Sequence, residues 1–335
     1  MKALILALLL FQAAPPSPET APQGEKAAAE LAPGIELFNS RRMGGDRLEK
    51  ARAFFEPYAA SHPESALAAF YLGRTYLELE QGDKAVTWLE KAVTLERENS
   101  DLYRWLARAH GIAAGQAEGG TRTLHIQEAR LALEKAVKHN PDNLRAREDL
   151  VRYHLSVPER LGGGIDRARM EAEAVRKFDP AGGRVLLASI HLHQEDNAGA
   201  EREYQAAIAE TPSDLRPRMG LGYLYQGLSR WPEAFEAFEG ILRLQPEAWD
   251  AMYQLGRTAA FSGQRLDRGE EVLKRYLDHF HQGDGPPLSG AHFRLGMVYE
   301  KKGDPARARE QYRKSLELDP ANQEVRKALE RLPAS

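Results

Sequence analysis

One spacing of small and bulky residues recurs down this chain and limits what it can become. Gly73, Tyr76, Ala85, Leu89 and Ala92 stand in the stretch GRTYLELEQGDKAVTWLEKAV. Gly222, Tyr225, Ala234, Phe238 and Ile241 repeat the same intervals, as do Gly296, Tyr299, Ala308, Tyr312 and Ser315. Pro246 and Pro320 close these last two stretches, and both Gly222 to Gly256 and Pro212 to Pro246 span 34 residues. A fixed period of this length marks stacked supersecondary units, not a single central core. Small residues let two backbones approach, and bulky ones fill the space beside them. A unit of this size cannot bury its apolar face alone, so its neighbours must supply the rest.

From residue 32 onward the chain resembles the tetratricopeptide-repeat proteins. The resemblance implies an all-α fold, a right-handed superhelical solenoid of about eight helix–turn–helix units plus a C-terminal capping helix. The first helix of each unit (A) carries a small residue at repeat position 8 and an aromatic at 11. The second (B) carries small residues at 20 and 27 and a bulky one at 24, and a proline near 32 stops it. The expected units are 32–65, 66–99, 100–143, 144–180, 181–214, 215–248, 249–288 and 289–322, so that the solenoid spans 32–322. Residues 323–335 are the expected cap. Unit one is degenerate, with Asn39 and Arg42 where a glycine and a tyrosine belong. Units three, four and seven carry insertions. Those in units three (IAAGQAEGGTRTLHIQ) and four (SVPERLGGGI) are expected to be loops that form a lip on one edge, with Gly162, Gly163 and Gly164 a mobile turn. The stretch YHLSVPERLGGGIDRARMEAE is similar to exported bacterial tetratricopeptide proteins, a resemblance that implies no settled activity.

Composition narrows the setting. The chain has 335 residues, 42% of them hydrophobic, and a net charge of −3, so no overall basic excess points to nucleic acid. The opening MKALILALLLF has one positive charge and then an apolar run too short to span a bilayer. It reads as a secretory signal over 1–14, followed by a flexible Pro/Ala-rich leader over 15–31. The expected location is therefore the periplasm or the exterior of a bacterial envelope. There is no cysteine, which removes lipid attachment through cysteine, disulfides, thiolate chemistry and cysteine-ligated zinc.

Catalytic chemistry is not visible. The sequence contains no H-E-x-x-H, P-loop or G-x-S-x-G pattern, and GLGYLYQG falls within a predicted helix rather than after a strand. His110, His154 and His191 fall at repeat position 11, a packing site, and are read as structural. His191 and His193 are two apart on a predicted helix and point in different directions. His279 and His281 are the one candidate chelating pair, without an evident third ligand. No metal and no cofactor is expected, nor an enzyme.

The informative surface is the inner face of the A helices, at repeat positions 2, 5, 9 and 12. Arg74, Arg108, Arg152 and Arg257 stand at position 9, Arg104 at position 5 of unit three and Arg145 at position 2 of unit four. Arg104 and Arg108 are like charges four apart, unfavourable unless something negative lies between them. Units six to eight place Met219, Tyr223, Tyr253, Phe261, Phe293 and Met297 on this face, residue types common at peptide-binding surfaces. The chaperone-type members of the family hold a terminal carboxylate with a Lys/Asn/Arg clamp. Phe70, Arg74, Arg104 and Arg108 stand here instead, so that specificity is not implied. Two readings of the arginines stay open: a carboxylate- or phosphate-binding face, or an ion-pair face neutralised by Glu36, Asp101, Glu148 and Asp149. The expected function is a non-enzymatic scaffold that holds a peptide or partner helix, with an acidic segment, in an envelope assembly. The alternative is a binding protein for an anionic envelope glycan, or an accessory subunit of an envelope enzyme.

Overall fold

The computed structural model describes residues 25–39, 46–279 and 286–333, with side chains from residue 28 onward. The expected signal, residues 15–24 of the leader, Arg42, His281 and the exit of unit seven over 280–285 lie outside the described residues. Among the described residues all regular structure is helical and no strand occurs. The order is α1 (Glu25–Asn39), α2 (Arg47–Ser61), α3 (Ala66–Glu78), α4 (Gly82–Leu95), α5 (Ser100–Gln116), α6 (Gly119–His139), α7 (Leu144–Ser156), α8 (Ile165–Arg176) and α9 (Pro180–His193). It continues with α10 (Asn197–Glu210), α11 (Arg216–Gly227), α12 (Trp231–Leu244), α13 (Trp249–Ser262), α14 (Leu266–His279), α15 (Leu288–Lys301), α16 (Pro305–Leu318) and α17 (Gln323–Arg331). The helices form two compact units, one through Glu195 and one from Asp196.

The repeat signature turns out to be a closure. A Cβ added to Gly222 would lie less than 3.0 Å from the Phe238 ring. The same holds for Gly73 against Leu89, Gly256 against Leu273 and Gly296 against Tyr312. Each pair joins position 8 of helix A to the bulky residue of helix B, so the A and B helices touch where only glycine fits. Around this contact Ala85, Ala92, Ala200, Ala207, Ala234, Ala308 and Ser315 are wholly buried. The aromatic at position 11 ties neighbours together: the Tyr225 hydroxyl donates to Glu201 at 2.8 Å and that of Tyr299 to Glu270 at 3.0 Å. The Tyr76 hydroxyl likewise donates to Glu56.

Sequence also fixes the helix ends. Ser65, Asn99, Asn143, Asp179, Asp196, Asp304 and Asn322 each cap a helix, accepting from backbone N–H groups of its first turn. Each such cap contributes roughly 1 kcal/mol. The A-to-B turn needs one residue in the left-handed region. In units two, five, six, seven and eight that residue sits at repeat position 15: Glu80, Glu195 and Ser229 (φ between 56° and 60°), then Gly263 (74°) and Gly303 (77°). The cap α17 packs against α16, buries Val325 and Ala328, and is fastened by Arg331 to Glu300 at 2.9 Å.

Four regions differ from the sequence reading. Helix α1 starts at Glu25, inside the segment expected to be a leader. In unit one the close approach is made by Gly34 against Phe54 and Phe55, and Asn39 only ends the helix. The insertion of unit three is not a loop: it extends α5 to 17 and α6 to 21 residues, broken only at Ala117 and Glu118. The glycines of unit four form a tied turn. Gly164 N–H donates to His154 O at 2.8 Å, Gly163 N–H to Pro158 O at 3.2 Å and the Tyr153 hydroxyl to Leu161 O at 2.8 Å. A Cβ on Gly163 would collide with the Val157 carbonyl, so the residue is required by close backbone approach.

Candidate functional site

In the first compact unit the arginines gather around one indole. Helix α5 carries Arg104, Trp105 and Arg108, and α3 sends Arg74 across to the same ring. The guanidinium carbons of Arg74, Arg108 and Arg104 lie 4.4, 4.5 and 5.8 Å from the Trp105 ring centroid. The indole face attracts cations, which offsets part of their mutual repulsion. Asp149 of α7 supplies the rest: Arg104 Nε donates to it at 2.7 Å and Arg152 Nη1 at 2.8 Å. Glu148 lies 3.8 Å from Arg152. The carboxylate of Asp149, one of the acids named from the sequence as a neutraliser, therefore relieves the Arg104–Arg108 pair. Of the other two acids named, Asp101 accepts from Asn143 Nδ2 at 3.2 Å and Glu36 is exposed. Arg145 is exposed on α7.

Arg74 is different. It is 6% exposed and enclosed by aromatic rings, with its guanidinium carbon 4.6 Å from the centroid of Phe38, 5.4 Å from Phe70 and 5.8 Å from Tyr71. Its Nε and Nη2 have no hydrogen-bond partner among the described residues, and neither does the buried Trp105 Nε1. Burial pushes the Arg74 pKa down to about 10, and burial followed by the nearby Arg104 charge pushes that of Arg108 down too.

The second compact unit arranges its face otherwise. Arg257 donates to Gln226 Oε1 at 2.9 Å and Gln254 Oε1 at 3.3 Å. Tyr223 (47% exposed) stands edge-on to Phe238, and Phe261 (43% exposed) is flanked by Arg257 and Arg294 at 5.1 and 4.7 Å. Met219 and Met297 are half-buried, and Arg294 Nη1 lies 3.2 Å from Met297 Sδ. Tyr253 and Phe293 instead turn into the core, against Tyr276 and Tyr312. Sequence reasoning missed Trp105, Phe38, Tyr71 and Arg294. The signal for Trp105 was present, since it sits between Arg104 and Arg108 on one helical turn, but its role needs Arg74 arriving from another helix.

His110 and His154 are buried, and His191 is half-buried. His154 Nδ1 meets the Gly162 carbonyl at 2.9 Å. His110 Nδ1 lies 3.0 Å from His125 Nδ1, so one ring donates and the other accepts, and His125 Nε2 is 3.5 Å from Asp83. Burial, then the His125 neighbour, pushes the His110 pKa down to about 4. His279 stacks on Trp249 with its Nδ1 3.1 Å from the Arg275 carbonyl. Among the described residues no three His, Asp or Glu side chains form a metal-binding group, and no helix is long and apolar enough to cross a membrane.

Comparison with known proteins agrees with this geometry. The tetratricopeptide-repeat pattern matches residues 40–102, 219–284 and 289–322. The human protein named protein O-mannosyl-transferase TMTC3 is 23% identical over 311 residues, covering 89% of this chain, and the chain spans 28% of that relative's length. The crystal structure of yeast Tom70 superposes with a TM-score of 0.64 at 13% identity, covering 98% of this chain and 68% of that one. A tetratricopeptide repeat protein from Parabacteroides merdae gives a TM-score of 0.45 at 14% identity, covering 78% of this chain and 96% of that one. The matched segments fall where glycine closes helix A on helix B, and with that shared fold they make this chain a tetratricopeptide-repeat protein.

Proposed function

We propose that the chain is an exported, non-enzymatic scaffold that holds a peptide or partner helix against the A-helix faces of its repeats, within an envelope assembly. Tetratricopeptide repeats suggest a protein–protein interaction scaffold, and the observation that carries the finer reading is the split between buried and exposed positions. Positions 8, 20, 24 and 27 are spent on closure, whereas Tyr223, Phe261, Met219, Arg257 and Met297 keep surface on α11, α13 and α15 of one compact unit. Aromatic, methionine and arginine side chains are the types enriched where proteins meet. The export reading rests on the apolar run and the prolines of residues 1–22.

A photo-crosslinking amino acid at Tyr223, in cells of the source organism, tests both parts. The expected result is one protein partner cross-linked in the envelope fraction, and retention in the cytoplasm when residues 1–14 are deleted. Cross-linking to oligosaccharide alone supports the glycan alternative. Equal labelling from an exposed B-helix position such as Thr87 removes the A-helix face as the binding surface.

A further inference from the structure

We propose that the groove between α4 and α6, floored by α5, binds a small linear zwitterion, with an ammonium and a carboxylate about 10 Å apart on an apolar spacer. The cavity there measures about 470 Å³, within the range of small-molecule sites. It is not on the A-helix inner face. Tyr103, Leu106 and His110 line it, three and four residues apart, whereas Arg104 and Arg108 stand on the other side of α5. The inference therefore goes beyond the scaffold reading, and neither depends on the other.

Contacts along the groove fix its direction. At one end His110 Nδ1 lies 3.0 Å from His125 Nδ1, and His125 Nε2 lies 3.5 Å from Asp83 at the start of α4. At the other end Tyr103 stacks on His139 with 5.2 Å between ring centroids, and Lys135 Nζ is 5.8 Å from the tyrosine ring. Helices α4 and α6 therefore run in one direction, and α5 runs against both. That puts Glu90 of α4 and Glu128 of α6 toward the His110 end. Lys135, and Arg97 just past the end of α4, stand toward the Tyr103 end. Glu128 precedes Lys135 by seven residues of one helix, which is two turns or about 10 Å.

The lining selects the ligand. Val93, Leu106 and Ala132 are buried and make the middle of the groove apolar. Among the described residues none of the four charges enters an ion pair: Arg97 Nε donates to the Thr94 carbonyl at 3.4 Å, and Lys135 stands over Tyr103. Two carboxylates gather at one end and two cations at the other. A simple anion is repelled by the first pair and a simple cation by the second, while a ligand with opposite charges at its two ends meets both. His110 does not oppose the ammonium. Burial, then His125, pushes its pKa down to about 4, so the ring is uncharged at neutral pH.

Ligand-observed NMR titration of the folded chain at low ionic strength tests the site. The probes are ω-aminooctanoate and free trialanine, which each hold their charges about 10 Å apart and separate an aliphatic from a peptide spacer. The expected result is saturable binding of at least one of them below about 10 mM. Octanoate, octylamine and the shorter ω-aminobutyrate should each bind at least about tenfold more weakly. Glu128 is half-buried and Lys135 exposed, so Glu128→Gln and Lys135→Met should leave the circular dichroism spectrum unchanged. Each should weaken the zwitterion at least about fivefold. Glu128→Gln should not weaken octanoate, nor Lys135→Met octylamine, a pattern that a general loss of structure does not give. Partner capture at Tyr223 should be the same in both variants.

No saturation of either zwitterion below about 10 mM overturns the proposal. So does octanoate or octylamine binding as well as the zwitterion, or both variants binding it within about twofold of the original.

Discussion

Arg74 and Arg257 occupy the same repeat position in units two and seven, and they end in opposite conditions. Arg257 is half-buried and its donors meet Gln226 and Gln254. Arg74 is buried among four rings and the edge formed by Nε and Nη2 meets no acceptor. What differs is what the adjacent A helices bring. Helix α11 offers a glutamine, whereas α1 and α5 offer Phe38 and Trp105. The same repeat position therefore meets different chemistry according to what the neighbouring unit supplies.

The comparison can be broken at its charges first. Asp149→Asn should be the largest effect, since it removes a buried carboxylate, takes the ion-pair partner from Arg104 beside Arg108 and leaves Arg152 with Glu148 alone. Losing one partner of such a pair costs about 3–5 kcal/mol. Hydrogen exchange should show the loss in α5 and α7 and leave α11 to α16 protected; a uniform loss along the chain would mean that the two compact units do not respond separately.

Acid should also strike the first unit. The His110 pKa lies at about 4 when folded, against 6.5 for the free side chain. Between these values the unfolded chain binds more protons, so stability is fully present above pH 6.5 and falls as pH drops toward 4. The loss is on the order of 2–3 kcal/mol. His110→Phe should flatten that part of the pH–stability curve, and a slope unchanged in the variant assigns the acid response elsewhere.

Gly222→Leu acts in the second unit by forcing a side chain into Phe238. Overpacking of this kind costs about 1–3 kcal/mol. The α11–α12 contact should loosen while Trp105 keeps its environment, as near-ultraviolet circular dichroism of single-tryptophan variants would report. The smallest effect is a gain. Ser229→Gly relieves a left-handed non-glycine residue at position 15, where units seven and eight already have glycine, and should add about 0.5–1 kcal/mol. Gly303→Ser is the mirror test and should lose about as much; a gain in both would show that turn strain is not what separates them.

Much of the fold was legible because the repeat encodes its own closure. Gly222, Phe238, Ala234 and Ile241 announce a tight helix pair through spacing alone, and a fixed period announces the stacking. The register of unit one was less legible, since Gly34 does the work expected at Asn39. The insertion of unit three predicts a loop because it adds residues between helix A and helix B. In the structure Gly115 and Gly120 continue helices, supported by flanking turns that pack on each other, with Gly119 opening α6 at a φ of 54°.

The sequence by itself determined the helix pairs and their caps, because these follow from residues a few positions apart. Tertiary structure alone decided which arginines are satisfied. Asp149 reaches Arg104 from 45 residues away, and Phe38 and Trp105 close on Arg74 from two other helices. No local spacing carries that information, since a charge is paired or left unpaired by whatever the next helices place against it, and burial then fixes what the difference costs.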